Sequence, residues 1–286
     1  MRSVSILGIG RAGGALALAL DRADVPIGKL IYRSDPPTEK GLDRQKLVLF
    51  DSIKSIESDV LLIATADQDI RSTAESLAQF SDLPSVVLHL SGSLSSDELS
   101  RLRVRNVAVG SMHPLVSISD AELGAERFPG AYFCVEGDSN AVASALRIVG
   151  LLGGQHFSIE TSLKPLYHAS AVMASGNVVA LFDAAIEMLS KCGLDREQAH
   201  RILFPLLQST VANLAERSTE QALTGPFVRG DSAALERHLA AFEGKIDDSI
   251  RSIYLDLAER SVRLAGGEHT TDLLTAISMA KRKTGC

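Results

Sequence analysis

The sequence predicts a doubly wound, mostly parallel α/β sheet followed by an all-helical region, and three observations predict it. A Gly8-x-Gly10-x-x-Gly13 run follows a short β-type stretch and opens an Ala/Leu-rich helical segment. Up to about residue 160, short β-branched runs alternate with helical periods, as in parallel strands joined by helical crossovers. From Thr161 onward the β signal stops and long helical periods take over, which sets a domain boundary near 160 and divides the chain into 1–160 and 161–286.

Val4–Leu7, Lys29–Tyr32, Leu47–Phe50, Val60–Thr65, Val86–Leu90 and Val107–Ser111 read as strands, because continuous apolar runs suit parallel strands covered on both faces. Ala131–Val135 and Gln155–Ile159 flank a helix near Asn140–Leu151 and extend the same sheet. Helices follow over roughly 162–192, 195–217, 231–243, 246–265 and 269–282. Thr161 and Ser162 precede the first, Gly193 ends it, and Asp195 with Gln198 makes a box-like start for the second.

The glycine run has a physical task at each position. Gly8 permits the tight turn out of the strand, Gly10 lets backbone N–H groups approach phosphate oxygens, and Gly13 lets the helix pack closely on the sheet. The helix N-terminus adds positive partial charge. Strand, glycines, helix and second strand in order therefore predict a dinucleotide pyrophosphate at Gly8, Ile9, Gly10, Arg11, Ala12 and Gly13. The second strand ends in Arg33-Ser34, where an NAD-binding chain carries a carboxylate for the ribose 2′-hydroxyl; arginine and a hydroxyl suit the 2′-phosphate of NADP instead.

Composition is that of a globular protein, 286 residues with 45% hydrophobic and 22% charged. A net charge of −6 with scattered basic residues gives no nucleic-acid footprint apart from Lys281-Arg282-Lys283, and no Trp with 5% aromatics leaves few stacking platforms. No apolar run reaches the roughly 18 residues of a membrane span. Cys134, Cys192 and Cys286 show no CxxC and no metal-ligand spacing, so the reading is a reduced, cytoplasmic chain without a metal.

Further candidates fall at the carboxyl ends of strands, where open α/β sheets bind ligands. Thr65, Ala66 and Asp67 follow the fourth strand; Asp67 reads equally as the N-cap of the next helix. Ser91-Gly92 follows the fifth strand. His113-Pro114 follows the sixth, where His113 lines the cleft or moves a proton. On the first long helix Lys164, His168, Ala171 and Ser175 share a face, a pocket wall in which Lys164 and His168 can stabilise developing alkoxide charge and donate a proton; a solvated first turn is the alternative. In Thr224-Gly225-Pro226-Phe227-Val228-Arg229-Gly230-Asp231, Arg229 suits a substrate carboxylate or an internal salt bridge, and Asp231 caps the following helix. His238 is a minor candidate.

Taken together, GxGxxGG, the Ala-Asp turn, Ser-Gly, His-Pro, Lys-x-x-Tyr-His-Ala and Thr-Gly-Pro-x-x-Arg-Gly-Asp resemble a bacterial family of NAD(P)-dependent oxidoreductases that join a Rossmann-like domain to domain of unknown function 2520. More distantly the layout is similar to 6-phosphogluconate dehydrogenase-like enzymes, including ketopantoate reductase and pyrroline-5-carboxylate reductase. The resemblance implies a helical second domain of that type and gives Lys164 the lysine role of ketopantoate reductases, with His168 where an asparagine stands and Asn177 displaced by one position.

The resulting expectation is an NADP(H)-dependent oxidoreductase acting on a small, carboxylate-bearing oxo or hydroxy acid, ketopantoate-like in size. Lys164 serves as proton donor or oxyanion stabiliser, His168 and Ser175 stand beside it, and Arg229 anchors the carboxylate. An imine reductase and a non-catalytic dinucleotide sensor are the alternatives. Apolar helices in excess of what one small helical domain buries predict a homodimer through that domain.

Overall fold

The computed structural model describes residues 3–267 and 270–283. The expected start of the last helix at residue 269 and Cys286 lie outside the described residues. Eight strands, β1 (Val4–Leu7), β2 (Ile27–Tyr32), β3 (Leu47–Leu49), β4 (Val60–Ile63), β5 (Val86–His89), β6 (Ala108–Pro114), β7 (Tyr132–Gly137) and β8 (Gln155–Phe157), form one sheet in the order β3-β2-β1-β4-β5-β6-β7-β8. All pairs are parallel except β6 with β7. The order reverses between β1 and β4, which opens a crevice at their carboxyl ends.

Alternation within the strands builds a core on each face. Ile6, Leu62 and Leu88 pack on one side with α1 (Arg11–Arg22), and their neighbours Leu7, Leu61, Ile63 and Val87 pack on the other with α2 (Ile70–Leu77). α3 (Ser100–Arg103), α4 (Ala121–Glu126) and α5 (Ser139–Leu151) complete the two layers. β6 runs on through Pro114, so His113 sits within a strand opposite Cys134 of β7 rather than beyond the strand's end.

The helix expected over 162–192 is broken. A 3₁₀ turn at Thr161–Leu163 leads into α6 (Lys164–Ala174), and α7 (Gly176–Ser190) starts anew. Ser175 departs from helical geometry at φ −128, ψ −83, and glycine follows it, the residue with the least helical preference after proline. Thr161 and Ser162 do not cap α6: Ser162 Oγ donates to Glu160, and Pro165 in the first turn lacks the N–H that a cap would serve.

The chain groups into two compact units, Met1–Ser175 and Gly176–Cys286. α6 belongs with the sheet, further along than the change of composition at 160. The second unit holds α7, α8 (Arg196–Glu216), the short α9 (Thr219–Ala222), α10 (Ser232–Phe242), α11 (Asp248–Ala265) and α12 (Thr270–Lys283). α8 starts on a reciprocal Asp195/Gln198 capping box, and Gly193 adopts φ +92 after α7. Leu235, Leu255, Val262, Leu273 and Ile277 form its core.

By length and composition, the helical stretch Thr161–Ser190 is long and apolar enough to cross a membrane, which corrects the expectation that no such run exists.

Candidate active site

The β1–α1 turn is shaped for backbone approach. A Cβ at Gly13 would lie 1.9 Å from the Gly8 carbonyl oxygen, and Gly8 itself holds φ +96 against Ala64. A Cβ at Gly10, by contrast, would meet nothing within 4 Å. Gly10 is the N-cap of α1, which has no side-chain cap and no acidic residue in its first turn, so its amide dipoles face open space. Ile9 is buried, while Arg11 is exposed and Ala12 is half-buried beside the core.

At the end of β2, Arg33 lies with its guanidinium carbon 5.0 Å from the Phe50 ring centroid and donates to Thr73 Oγ1 at 2.5 Å. Stacking fixes the plane of an otherwise exposed cation. Ser34 beside it is also exposed. After β4, Thr65 Oγ1 is buried and has no hydrogen-bond partner among the described residues. An orphaned hydroxyl at this edge, an uncapped helix end and a held arginine together fit a phosphate-bearing dinucleotide.

Asp67 is not the N-cap that it could have been. It lies in a 3₁₀ turn whose cap position is Ala66, and its Oδ2 accepts from Ser91 Oγ at 2.7 Å and Ser93 Oγ at 2.8 Å. Ser91 Oγ in turn accepts from the amides of Ser93 and Leu94. His89 donates from Nε2 to Ser95 O at 3.0 Å and accepts the Ser91 amide at Nδ1, bonds that assign its neutral tautomer. Burial, with the Lys164 charge nearby, pushes its pKa down to about 4.

Lys164 is not on a pocket wall, and it is buried although Leu163, Pro165 and Leu166 around it are exposed. It is 0% exposed, with Nζ 3.3 Å from Glu136 Oε1, 3.3 Å from Ser91 O, and bonded to Ser111 Oγ. Glu136 also accepts from the Ser96 amide and hydroxyl at 2.9 and 2.8 Å. The first turn of α6 points its lysine down between β5, β6 and β7, where only a paired charge is tolerated. Burial lowers the Lys164 pKa and Glu136 opposes that shift.

The other residues of that face open onto a cavity of about 630 Å³, lined by His113, Pro114, Phe157, Tyr167, His168, Ala171 and Ser175 among others. Gly92 lies beneath the rings: a Cβ there would come within 2.6 Å of His168 and 2.8 Å of His113. The two imidazoles meet edge to face with centroids 5.8 Å apart, and Tyr167 OH lies 2.6 Å from His113 Nδ1. Burial first, then His168 and Lys164, pushes the His113 pKa down to about 4, and burial raises the Tyr167 phenol above its ordinary value. Ser175 Oγ is spent on Ala171 O at 2.7 Å. Tyr167 stands in the Lys-x-x-Tyr-His-Ala motif, but its role is set by His113, which is distant in sequence.

In the second unit, Arg229 is exposed on a loop braced by Gly225 and Gly230, both at positive φ. Asp231 caps α10 by accepting the Ala234 amide at 2.9 Å, and His238 pairs with Tyr254 OH at 2.6 Å.

Residues 131–261 match the family described as domain of unknown function 2520. Among solved structures, this chain is similar to a candidate NADP oxidoreductase from Bacteroides fragilis, with TM-score 0.71 and 17% identity over 92% of this chain and 98% of that one. Protein TM1727 from Thermotoga maritima follows at TM-score 0.67 and 22% identity, over 91% and 98%. Pyrroline carboxylate reductase from Plasmodium falciparum, solved with NADP bound, gives TM-score 0.55 and 13% identity over 93% and 100%. At these identities the likeness establishes a shared Rossmann-like fold. No match was found among curated proteins.

Proposed function

We propose that this chain is an NADP(H)-dependent oxidoreductase acting on a small carbonyl or imine carbon. The observation that carries the reading is the open space over Gly10 at the uncapped N-terminus of α1, beside the β1/β4 reversal. Backbone amides of Gly10 to Gly13 hold the pyrophosphate, Arg33 and Ser34 take the 2′-phosphate, and Thr65, Ala66, Ser91 and Gly92 line the way to the cavity. The names of the Bacteroides and Plasmodium relatives support the same cofactor. A reduced nicotinamide, when bound, supplies hydride.

The chain's own residues supply the rest. Tyr167 keeps its proton at neutral pH because burial opposes phenolate, and its hydroxyl is the acid available to a substrate heteroatom. Neutral His113, in the tautomer that donates from Nδ1, holds the phenol oxygen and leaves its proton for the substrate, and His168 fixes the His113 ring from the side. Lys164 acts from below as a positioning residue, tying the Ser91 carbonyl and Ser111 to Glu136.

Titration with NADPH and NADH tests the reading. NADPH is expected to bind at least tenfold more tightly, with the preference reversed in Arg33→Asp; absence of binding by either nucleotide at millimolar concentration refutes it. We also propose a homodimer through the second unit, where Val179, Ile202, Leu206 and Val211 stand exposed on α7 and α8. Light scattering that returns a monomer mass would count against it.

A further inference from the structure

We infer that the cavity at His113 and Tyr167 takes an uncharged substrate, a ketone or imine with apolar substituents, rather than a carboxylate-bearing one. The inference rests on the reading of the site as that of a carbonyl or imine reductase, and it concerns the charge of the substrate. A carboxylate seated in a cavity exchanges hydration for protein donors, and without a cation or a set of N–H groups that exchange is unfavourable. The residues that line this cavity are His113, Pro114, Leu115, Val116, Ser117, Phe157, Tyr167, His168, Ser170, Ala171, Val172, Ala174 and Ser175, with no Lys, Arg, Asp or Glu among them.

Two hydroxyls on the wall are already committed. Ser170 Oγ donates to Tyr167 O at 2.6 Å and Ser175 Oγ to Ala171 O at 2.7 Å, so neither hydroxyl proton is left for an anion. His113 is neutral at physiological pH. Lys164 and Asp67 lie outside the wall and are compensated, by Glu136 and by two serine hydroxyls, and the exposed Arg127 behind the wall donates to the Ser117 carbonyl. Against these stand Phe157 edge-on to Tyr167 at 5.6 Å, and Leu115 and Val172 with exposed side chains. What remains is a mostly aromatic and aliphatic wall whose uncharged polar groups include Tyr167, His168 and Ser117. That pattern recognises a heteroatom carried on an apolar body. The volume, about 630 Å³, accommodates a substrate with a ring or a branched chain.

The step that this implies is balanced without a further reactant. A bound dihydronicotinamide would supply hydride to the carbonyl carbon and be oxidised; the C=O π pair would move to oxygen, which would take the Tyr167 proton, and the phenolate would regain a proton from water.

The test uses the full-length protein with NADP⁺ and measures binding rather than turnover. Matched pairs, beginning with acetophenone and phenylglyoxylate, are titrated while the imidazole resonances of His113 and His168 are followed by NMR. At least one neutral member is expected to shift both rings with a Kd tenfold or more below that of its carboxylate partner. Ala171→Arg, which places a cation on the wall, is expected to reverse the order, and Tyr167→Phe to weaken the neutral ligand without reversing it. A carboxylate that binds as tightly as its neutral partner, or a neutral series that leaves both rings unmoved, overturns the inference; the wild-type titration decides it even if a variant does not fold. Failure of NADPH to bind in the separate nucleotide titration would instead remove the oxidoreductase reading, so the two failures are distinct.

Discussion

Lys164→Met is the perturbation whose cost follows most directly from the geometry. Methionine keeps the length and apolar stem of lysine but removes the ammonium, leaving the 8% exposed Glu136 with only the Ser96 amide and hydroxyl to hold its charge. Breaking a buried pair by removing one partner costs about 3–5 kcal/mol, because the remaining charge keeps its desolvation penalty and loses its compensation. With an m-value of about 3 kcal/mol/M in urea, that is a fall of roughly 1–1.7 M in the unfolding midpoint. The double variant Lys164→Met/Glu136→Gln removes both charges and is expected to recover most of the loss, the coupling appearing as a strongly non-additive cycle. Urea denaturation followed by circular dichroism of the wild type, both single variants and the double variant provides the measurement. A Lys164→Met protein within about 1 kcal/mol of wild type, or a double variant worse than either single, would show that the pair is not what holds α6 to the sheet.

The remaining expectations concern neighbouring parts of the same unit. His89 and His113 both have folded pKa values near 4 against 6.5 when unfolded, so the unfolded chain binds more protons between these limits. Stability is therefore full above pH 6.5 and falls on acidification towards pH 4, by on the order of 1–2 kcal/mol per ring between pH 6.5 and 5; urea midpoints at pH 7 and pH 5 measure it, and His89→Gln should reduce the slope. Gly13→Ala and Gly10→Ala separate fold from ligand. The first drives a Cβ against the Gly8 carbonyl and should destabilise by about 1–3 kcal/mol or more, whereas the second should change stability by less than about 0.5 kcal/mol while NADPH affinity drops in calorimetry. Asp67→Ala strands the Ser91 and Ser93 hydroxyls and should cost about 1–3 kcal/mol, with faster hydrogen exchange at the Ser93 and Leu94 amides.

Much of the sheet was legible because its residues obey local rules. Continuous apolar runs such as Val60–Ile63 state burial on both faces, the glycine run states a turn that needs no side chain, and Asp195 with Gln198 spells out a helix start. What escaped depends on partners distant in sequence. Lys164 and His168 share a helical face, yet one is swallowed by the sheet because Glu136 waits beneath it, and the carboxylate gives no local sign of that role. Asp67 has the right type and place for a helix cap, and only the arrival of two serines from the next loop decides against it. β7 runs antiparallel to β6 and carries them past the usual end of such strands, so His113 lies inside the ladder. The break at Ser175 was hidden because an Ala/Val/Met-rich period continues through it.

The stitching of the β4 and β5 ends by Asp67 also bears on association. Two loops that would each lose conformational freedom on ligand entry are already joined through one carboxylate and one hydroxyl, each serving several donors. Preorganisation of this kind removes an ordering cost of roughly 0.5–1.5 kcal/mol for each side chain that would otherwise be immobilised. A ligand that reaches this edge meets a floor set in advance, and its affinity reflects contact rather than induced order.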